Sequence, residues 1–135
     1  MENIPKRIKH IMNDTNIKKK LLSIISIGLN YDDLIQTYKT AKIYFNESWV
    51  EYIIVSPYVE KLKNFCNKKN ITLVEDSKKG CYAAMNKGIK YTKGKFLWFL
   101  NAGDIAKKLN REELLFLRFL LKESDNTCLL YTSPS

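Results

Sequence analysis

Short apolar runs alternate with amphipathic segments through most of this chain. Four runs rich in isoleucine, valine or phenylalanine predict buried β-strands at Leu21–Leu29, Val50–Val55, Ile71–Val74 and Phe96–Leu100. Each run is followed by a segment in which apolar residues recur at the spacing of one helical face. This order of strands and helices predicts an α/β domain with a mostly parallel sheet, because parallel strands are usually connected by helices.

Individual residues predict where the helices begin. Pro57 has no N–H group, so it is expected to end the second strand and to open the second helix. Asn110 is the predicted N-cap of the last helix, whose apolar face carries Leu114, Leu117 and Leu121.

The predicted strand ends indicate where a ligand would bind. In an open parallel sheet, ligands bind outside the carboxyl ends of the strands. These ends are predicted at Leu29–Asn30, Ser56–Pro57, Glu75–Asp76 and Asn101–Asp104.

The segment Asn101–Asp104 combines a short amide, a glycine and one carboxylate directly after a strand. A glycine lets the backbone approach phosphate oxygens closely, and a carboxylate can hold a divalent cation that in turn holds a diphosphate. The alternative interpretation is an Asp that closes a local turn with the backbone. Spacing alone favours the turn.

Other carboxylates and glycines give weaker signals. Asp32–Asp33 and Glu75–Asp76 suit a sugar or ribose hydroxyl, but the residues alone favour a charged helix N-terminus or a loop position for each pair. Gly80 and Gly88 flank a predicted helix but match neither the dinucleotide fingerprint nor the P-loop.

The rarer reactive residues exclude several classes of site. His10 is the single histidine, so a core Ser-His-Asp or Cys-His centre is not expected. Cys66, Cys81 and Cys128 are too scattered for a disulfide framework or a zinc site, and free thiols are expected.

No apolar run approaches the roughly 20 residues of a membrane-spanning helix, and no signal peptide pattern is present. A cytoplasmic protein is therefore expected.

Charge is the least specific feature. The 135 residues, enough for one domain, include 23 Lys and Arg against 14 Asp and Glu, a net charge of +9. Residues 1–20 are interpreted as a basic extension, with a short helix around Ile4–Met12. Such an excess can attract nucleic acid, anionic lipid or a phosphate-bearing substrate, and lysine-rich solvated helix faces also produce it. The extension lacks the interleaved aromatic residues of a single-strand nucleic-acid binder, so no nucleic-acid partner is expected.

One long segment resembles a known family. The stretch KKGCYAAMNKGIKYTKGKFLWFLNAGD, which ends at Asp104, is similar to the middle of the family 2 glycosyltransferases, some of which read approximately DKGIYDAMNKGI before FLN[AS]GD. LLSIISIGLN and VEYIIVS resemble the first two strands of that family. The resemblance implies a GT-A (Rossmann-like) α/β/α sandwich, incomplete at the C-terminus, formed by residues 21–127.

The same resemblance implies a set of site residues. The family's metal motif falls on Asn101–Asp104, so Asp104 would hold a divalent cation, Mn²⁺ or Mg²⁺. The residues implied to bind the nucleotide-sugar are Gly28, Leu29, Asn30, Ser56, Gly80, Met85, Asn86, Asn101 and Asp104. The chain departs from the family where Ser56 and Pro57 replace an Asp-containing turn, and where Lys78 and Ala83 replace acidic residues. The family's general base is expected beyond the end of this chain, so the catalytic residue is unassigned.

The implied function is an inverting transfer of sugar from a nucleotide-diphospho-sugar to a glycan or lipid-linked acceptor in polysaccharide biosynthesis. The basic extension would favour contact with an anionic membrane, at the inner face of the cell membrane. Residues 128–135 resemble translated sequencing-adapter sequence, so a truncated protein with little activity is a further alternative. The competing hypothesis is a non-enzymatic basic α/β module that binds nucleotide or nucleic acid.

Overall fold

The fold is known from a computed structural model that describes residues 20–77 and 80–124 and the backbone of a short strand at 129–131. The predicted helix around Ile4–Met12 lies outside the described residues. In the described part, strands and helices alternate as β1 Lys20–Ile27, α1 Tyr31–Phe45, β2 Val50–Ser56, α2 Val59–Lys69, β3 Thr72–Glu75, α3 Cys81–Ile89, β4 Gly94–Phe99, α4 Arg111–Glu123 and β5 Leu129–Tyr131. The predicted order of strands and helices is confirmed, with ends that shift by one to two residues.

The strands form one sheet in the order β3-β2-β1-β4-β5, and all neighbouring strands are parallel. The chain builds from β1 through β2 to β3 on one side, and then crosses to β4 on the other side of β1. The strand order therefore reverses between β1 and β4, the position where open α/β sheets bind ligands.

Helices cover both faces of the sheet. Alternation along β1 directs Leu22 and Ile24 to one face and Ile25 to the other. The first face packs in a cluster with residues of α1, α2 and α4, including Leu34, Leu62 and Leu114. The second face packs under α3 in a cluster formed by Ile25, Ile53, Val55, Val74, Ala84 and Phe99. The predicted α/β sandwich is therefore confirmed.

Helix ends follow the predicted capping chemistry in part. The side chain of Asn110 accepts from the N–H of Glu113, and the Glu113 carboxylate accepts from the N–H of Asn110, which is a complete capping box. By contrast, α2 begins two residues after Pro57, and Tyr58 caps it without a side-chain hydrogen bond.

The fifth strand was not predicted from the sequence. Its backbone pairs with β4 in parallel, with Leu97 opposite Leu129. It lies within residues 128–135, and the adapter-like origin of that segment stays a prediction. Among the described helices, none combines the length and the apolar character needed to cross a bilayer.

Candidate functional site

A cavity of about 430 Å³ opens at the carboxyl ends of the strands. It lies beside the reversal of strand order, since Ile27 and Gly28 end β1 while Asn101 follows β4. Its lining consists of Ile27, Gly28, Leu29, Tyr58, Asp76, Gly80, Cys81, Ala84 and Asn101. The volume falls within the range of about 300–1,000 Å³ that is typical of small-molecule sites.

The loop after β4 is held to β1 by hydrogen bonds and by close packing. The N–H of Ala102 donates to the carbonyl of Ile27 at 2.9 Å, and the buried Ser26 hydroxyl donates to the carbonyl of Leu100 at 2.5 Å. A Cβ at Gly28 would overlap that of Ala102 and lie 3.1 Å from Leu34 Cγ. Gly28 is therefore required for the close approach of the loop to the end of β1.

The predicted acidic motif forms a tight turn. Asp104 Oδ2 accepts from the N–H of Asn101, and the N–H of Asp104 donates to the carbonyl of Asn101, each at 2.9 Å. Gly103 has a φ of +95°, in the left-handed region that favours glycine. One carboxylate oxygen of Asp104 therefore closes the turn, as the alternative interpretation of the sequence expected.

Asn101 carries a polar atom that the fold does not satisfy. Its Oδ1 is buried and has no hydrogen-bond partner within residues 20–77 and 80–124. A buried oxygen without a partner destabilises a fold by about 1–3 kcal/mol. Because Asn101 also lines the cavity, the unpaired oxygen is suited to a ligand or cation bound there.

Helix α3 begins at the rim of the cavity. Gly80 is its N-cap, with a φ of +109°, and provides no side-chain cap. Gly80 therefore offers the first N–H groups of the helix no side-chain acceptor, and these groups together with the helix dipole favour an anion. Further along, a Cβ at Gly88 would lie 3.0 Å from Val55 Cγ2, so glycine lets α3 lie close to the sheet.

The sequence carries the signature of a known family across this site. Residues 56–117 match the family described as glycosyl transferase family 2. Over these residues the chain is similar to glycosyl transferase family 2. A search of curated proteins gave no significant match. The matched residues run from the end of β2 into α4, and they include Tyr58, Asp76 and Asn101 of the cavity lining.

The family 2 resemblance of the sequence is thereby confirmed, and with it a glycosyltransferase-like domain. The all-parallel sheet with helices on both faces agrees with the GT-A, Rossmann-like fold of such domains. The particular donor, acceptor and mechanism belong to the proposals below.

Four of the site residues expected from family 2 line the cavity: Gly28, Leu29, Gly80 and Asn101. The others lie around it. Asn30 is the N-cap of α1, where its Oδ1 accepts from the N–H of Asp33 at 3.1 Å. Met85 packs against the apolar cluster under α3, and Asn86 is exposed on that helix.

Ser56 and Asp104 are part of the framework of the site and do not line the cavity. Ser56 is fully buried, and its hydroxyl accepts from the N–H of Tyr58 at 3.2 Å. Strand alternation explains this, because Val55 faces α3 and the cavity side, so the next side chain faces the opposite layer. Asp76 follows β3 and is the carboxylate of the lining.

A further residue of the framework was missed by sequence reasoning. Thr37 on α1 is fully buried, and its hydroxyl donates to the carbonyl of Asp104 at 2.9 Å and accepts from the N–H of Gly103 at 2.9 Å. Thr40, one turn further on, accepts from the N–H of Ala106 at 3.1 Å. The signal in the sequence is weak, since it consists of two threonines three residues apart in an amphipathic helix.

Family 2 domains commonly use a divalent cation, and the residues of the turn are compatible with one. In the described ranges, no group of three or more His, Cys, Asp or Glu side chains could hold a metal ion. Mg²⁺ often binds through one or two protein oxygens and takes its remaining ligands from phosphate and water. The unpaired Asn101 Oδ1 and the Asp104 carboxylate fit a cation of this kind.

A larger cavity of about 880 Å³ lies at the opposite rim, where the strands begin. Lys20, Lys42, Lys69 and Lys93 contribute to its lining. Both α1 and α2 end there, so Lys42 and Lys69 are also the basic residues that the negative ends of these helices favour. We take the smaller cavity as the candidate site because it lies at the ligand-binding end of the sheet and is lined by Asn101, whose side-chain oxygen is unpaired.

The shifted pKa values occur in the protein core. Burial raises the pKa of Tyr52, whose hydroxyl donates to Ser26 Oγ at 2.7 Å. Burial raises the pKa of Tyr44 too, with a smaller contribution from the charge of Glu113. Burial raises the pKa of the Cys66 thiol to about 11. These groups stay protonated at neutral pH and contribute to packing.

Proposed function

We propose that this chain binds the nucleotide-diphospho-sugar donor of a glycosyl transfer reaction in the cavity at the carboxyl ends of the strands. The observation that carries the proposal is the unpaired, buried Oδ1 of Asn101, a residue that lines the cavity and lies in the family 2 match. The uncapped start of α3 supports the same ligand, since its N–H groups suit a diphosphate.

In this proposal the chain's own residues bind and orient the donor. Gly28 lets the loop after β4 lie close to the end of β1, and Gly103 permits the turn that carries Asp104. Gly80 leaves the start of α3 without a side chain at the cavity wall. Asn101 and Asp104 would hold Mn²⁺ or Mg²⁺, which supplies positive charge to offset the charge that develops on the departing diphosphate.

The transfer itself is proposed to invert the anomeric carbon. An acceptor hydroxyl oxygen forms the new bond to that carbon and loses its proton to a base. The bond from the carbon to the diphosphate oxygen breaks, and its electron pair leaves with the nucleoside diphosphate. The described residues that we assign to the site bind the donor side of this reaction.

The acceptor and the cellular setting follow from the family resemblance. We propose a glycan or a lipid-linked acceptor in polysaccharide biosynthesis, with the protein on the cytoplasmic side of a membrane. The net charge of +9 supports contact with anionic lipid, because basic residues near such a surface are attracted to it.

The test is a titration of the chain with UDP, GDP and their sugars, with and without Mn²⁺. The diagnostic pair of variants is Asp104→Asn and Asp104→Ala. Asparagine can still accept from the N–H of Asn101 and keep the turn, but it lacks the charge for a cation. We expect Mn²⁺-dependent binding that both variants lose, while the control variant Asp32→Ala, an exposed carboxylate at the start of α1, retains it.

Two results would contradict the proposal. Full Mn²⁺-dependent affinity in Asp104→Asn would show that the carboxylate closes the turn only and holds no cation. Salt-sensitive binding to any polyanion, with no dependence on Asp104 or on Mn²⁺, would favour the basic binding module instead.

A further inference from the structure

The outer face of α4 is apolar and exposed to water. Four side chains form it, each with between 45% and 61% of its surface exposed: Leu115, Phe116, Phe119 and Leu120. The inner face of the same helix is also apolar, and it packs on the sheet through Leu114 and Leu121. Because a helix that is apolar on both faces is usually buried on both, we expect a second surface to cover the outer face.

Contacts at its two ends place α4 at the rim where the strands begin. Arg111 Nη1 at the first residue of the helix lies 2.6 Å from Oε1 of Glu47, which precedes β2. Near the other end, Nζ of Lys95 at the start of β4 donates to the carbonyl of Lys122 at 3.4 Å. The described lining of the donor cavity includes no residue of α4, so the two surfaces are separate.

Basic side chains surround the outer face of α4. The exposed ones that precede the helix or lie on it are Lys107, Lys108, Arg111, Arg118 and Lys122. Of the acidic residues in the same stretch, Glu113 is engaged in the capping box, and Glu112 and Glu123 lie near opposite ends of the helix. Basic residues therefore exceed acidic ones around this face, an excess that the pairing of Arg111 with Glu47 reduces but does not remove.

The basic N-terminal extension joins the domain at the same rim. Lys20 begins β1, and its Nζ donates to the carbonyl of Ser48 at 2.7 Å, beside the start of β2. Residues 1–19 precede it, and their charged side chains are Lys6, Arg7, Lys9, Lys18 and Lys19 against Glu2 and Asp14. Further positive charge is therefore attached to the chain at the rim where α4 lies.

We propose that the outer face of α4 docks on a lipid bilayer that contains anionic phospholipids. Phe116 and Phe119 enter the boundary between headgroups and acyl chains, which the apolar face of an interfacial helix reaches to a depth of about 5–10 Å. The basic residues around the helix and on the extension attract the anionic headgroups. This inference goes beyond donor binding, because it assigns the membrane contact to a particular surface outside the donor cavity.

A bilayer fits this surface better than a second copy of the chain does. It provides apolar acyl chains and negative headgroups together, which match the apolar side chains and the cations around them. A second copy also covers the apolar side chains, but it brings a surface of the same net charge. Self-association in water is therefore expected to compete with lipid and to be displaced by it.

The test is co-sedimentation of the full chain with vesicles of phosphatidylcholine alone, or of equal parts phosphatidylcholine and phosphatidylglycerol. We expect the native chain to bind the mixed vesicles about tenfold more tightly or better, and to lose much of this preference in high salt. Phe116→Ser/Phe119→Ser should weaken binding to the mixed vesicles about tenfold or more, since two rings no longer leave water. The matched control Tyr82→Ser/Tyr91→Ser, which removes two exposed rings on the α3 side of the sheet, should bind as the native chain does.

The charges and the insertion have separate readouts. Lys107→Gln/Lys108→Gln should weaken binding to the mixed vesicles about tenfold. Its control, Lys61→Gln/Lys63→Gln, removes the same charge from the first turns of α2 and should change the affinity little. Acyl chains carrying bromine should quench the added fluorescence of Phe119→Trp but not that of Tyr82→Trp.

Each contrary result would overturn the proposal in a different way. Full vesicle binding by Phe116→Ser/Phe119→Ser would mean that the basic extension alone makes the contact. Equal losses in the two lysine pairs would mean that net charge, rather than this surface, attracts the chain. A native chain that associates with itself through α4 and leaves vesicles unbound would assign the face to a second copy.

The test also separates this inference from the donor site. Vesicle binding is measured without nucleotide, so failure of every nucleotide to bind would leave the membrane contact standing. In the phenylalanine variant we expect Mn²⁺-dependent nucleotide affinity to be unchanged while vesicle binding is lost. Parallel loss of both would indicate damage to the fold and would remove the support that this variant gives to the docking surface.

Discussion

Thr37 on α1 binds Gly103 in the turn after β4, with its hydroxyl oxygen 2.9 Å from the amide nitrogen of that glycine. The same hydroxyl donates to the carbonyl of Asp104 at 2.9 Å. The buried side chain of Thr37 thus fixes the backbone of the turn that contains Asn101 and Asp104. The turn therefore depends on a helix that is distant in sequence, as well as on its own residues.

Removal of the Thr37 hydroxyl should loosen this turn. Thr37→Val keeps the shape of the side chain but leaves the Gly103 N–H without its acceptor, so we expect a loss of about 1–3 kcal/mol in the free energy of unfolding. Mn²⁺-dependent nucleotide affinity should fall about tenfold, since 1.4 kcal/mol corresponds to that factor. Denaturant unfolding and calorimetric titration measure the two effects.

The matched control for this change is Thr72→Val, at an exposed position at the start of β3. It should alter neither quantity. An unchanged affinity in Thr37→Val, with stability reduced, would mean that the turn forms its ligand contacts without help from α1.

The contact of Gly28 with Ala102 should make the stability effects of substitutions at these two positions non-additive. In Gly28→Ala the new methyl group overlaps Ala102 Cβ, and we expect a loss of stability of about 1–3 kcal/mol, as in other overpacked sites. Ala102→Gly makes room for it, so the double variant should be more stable than the sum of the single effects by about 0.5–2 kcal/mol.

Gly103→Ala is the comparison for the Gly28 series. A Cβ at Gly103 meets no atom within 4 Å outside its two chain neighbours, but its φ of +95° strains any other residue. Its cost of about 1–2 kcal/mol should come from this backbone strain alone. Strict additivity in the Gly28 pair would argue against the close approach.

The two described cysteines should differ in reactivity. Cys81 is exposed at the start of α3, whereas Cys66 is buried and the pKa of its thiol is raised to about 11. Because the thiolate is the reactive form, an aromatic disulfide reagent should modify Cys81 at once and Cys66 only on unfolding. A Cys128→Ser background leaves these two thiols for the measurement, and rapid modification of both would contradict the burial of Cys66.

The raised pKa of Cys66 also predicts a pH dependence. Between pH 9, its ordinary value, and about pH 11, the unfolded chain releases the thiol proton while the folded chain keeps it. The unfolded state is therefore favoured, and the free energy of unfolding should fall as the pH rises through this window. Cys66→Ala should show a shallower fall over the same range, and an identical slope would remove the thiol from the explanation.

The outer face of α4 should promote self-association. Phe116 and Phe119 are 61% and 57% exposed, and Leu115 and Leu120 lie beside them. Contiguous apolar surface of this kind favours association in water. We expect the apparent mass from light scattering to rise with concentration in the native chain and to be lower in Phe116→Glu/Phe119→Glu. The control variant Lys122→Gln should behave like the native chain. A native chain that stays monomeric at millimolar concentration would contradict this prediction.

Much of the fold was predictable because its signals are local. The strands are apolar on both faces, and the capping box at Asn110 needs only a glutamate three residues later. The site was predictable as a location, since parallel strands bring their carboxyl ends to one rim whatever the loop sequences are.

The roles of single side chains depended on geometry that the sequence does not display. Asp76 and Asp104 both follow strands, but one lines the cavity and the other folds back onto the N–H of Asn101. Ser56 was expected at the nucleotide, and strand alternation turns it towards the opposite layer. Thr37 had only a weak local signal, because its partners are 64 to 67 residues away along the chain.

The hydrogen bonds between Thr37 and the turn after β4 have a consequence for how the protein folds. Pairing of β1 with β4 and docking of Thr37 both join segments separated by more than sixty residues, and contacts of such sequence separation form slowly. Ligand affinity should therefore appear late during refolding, after the helices have formed. A nucleotide added early should not change the folding rate before Thr37 docks on the turn.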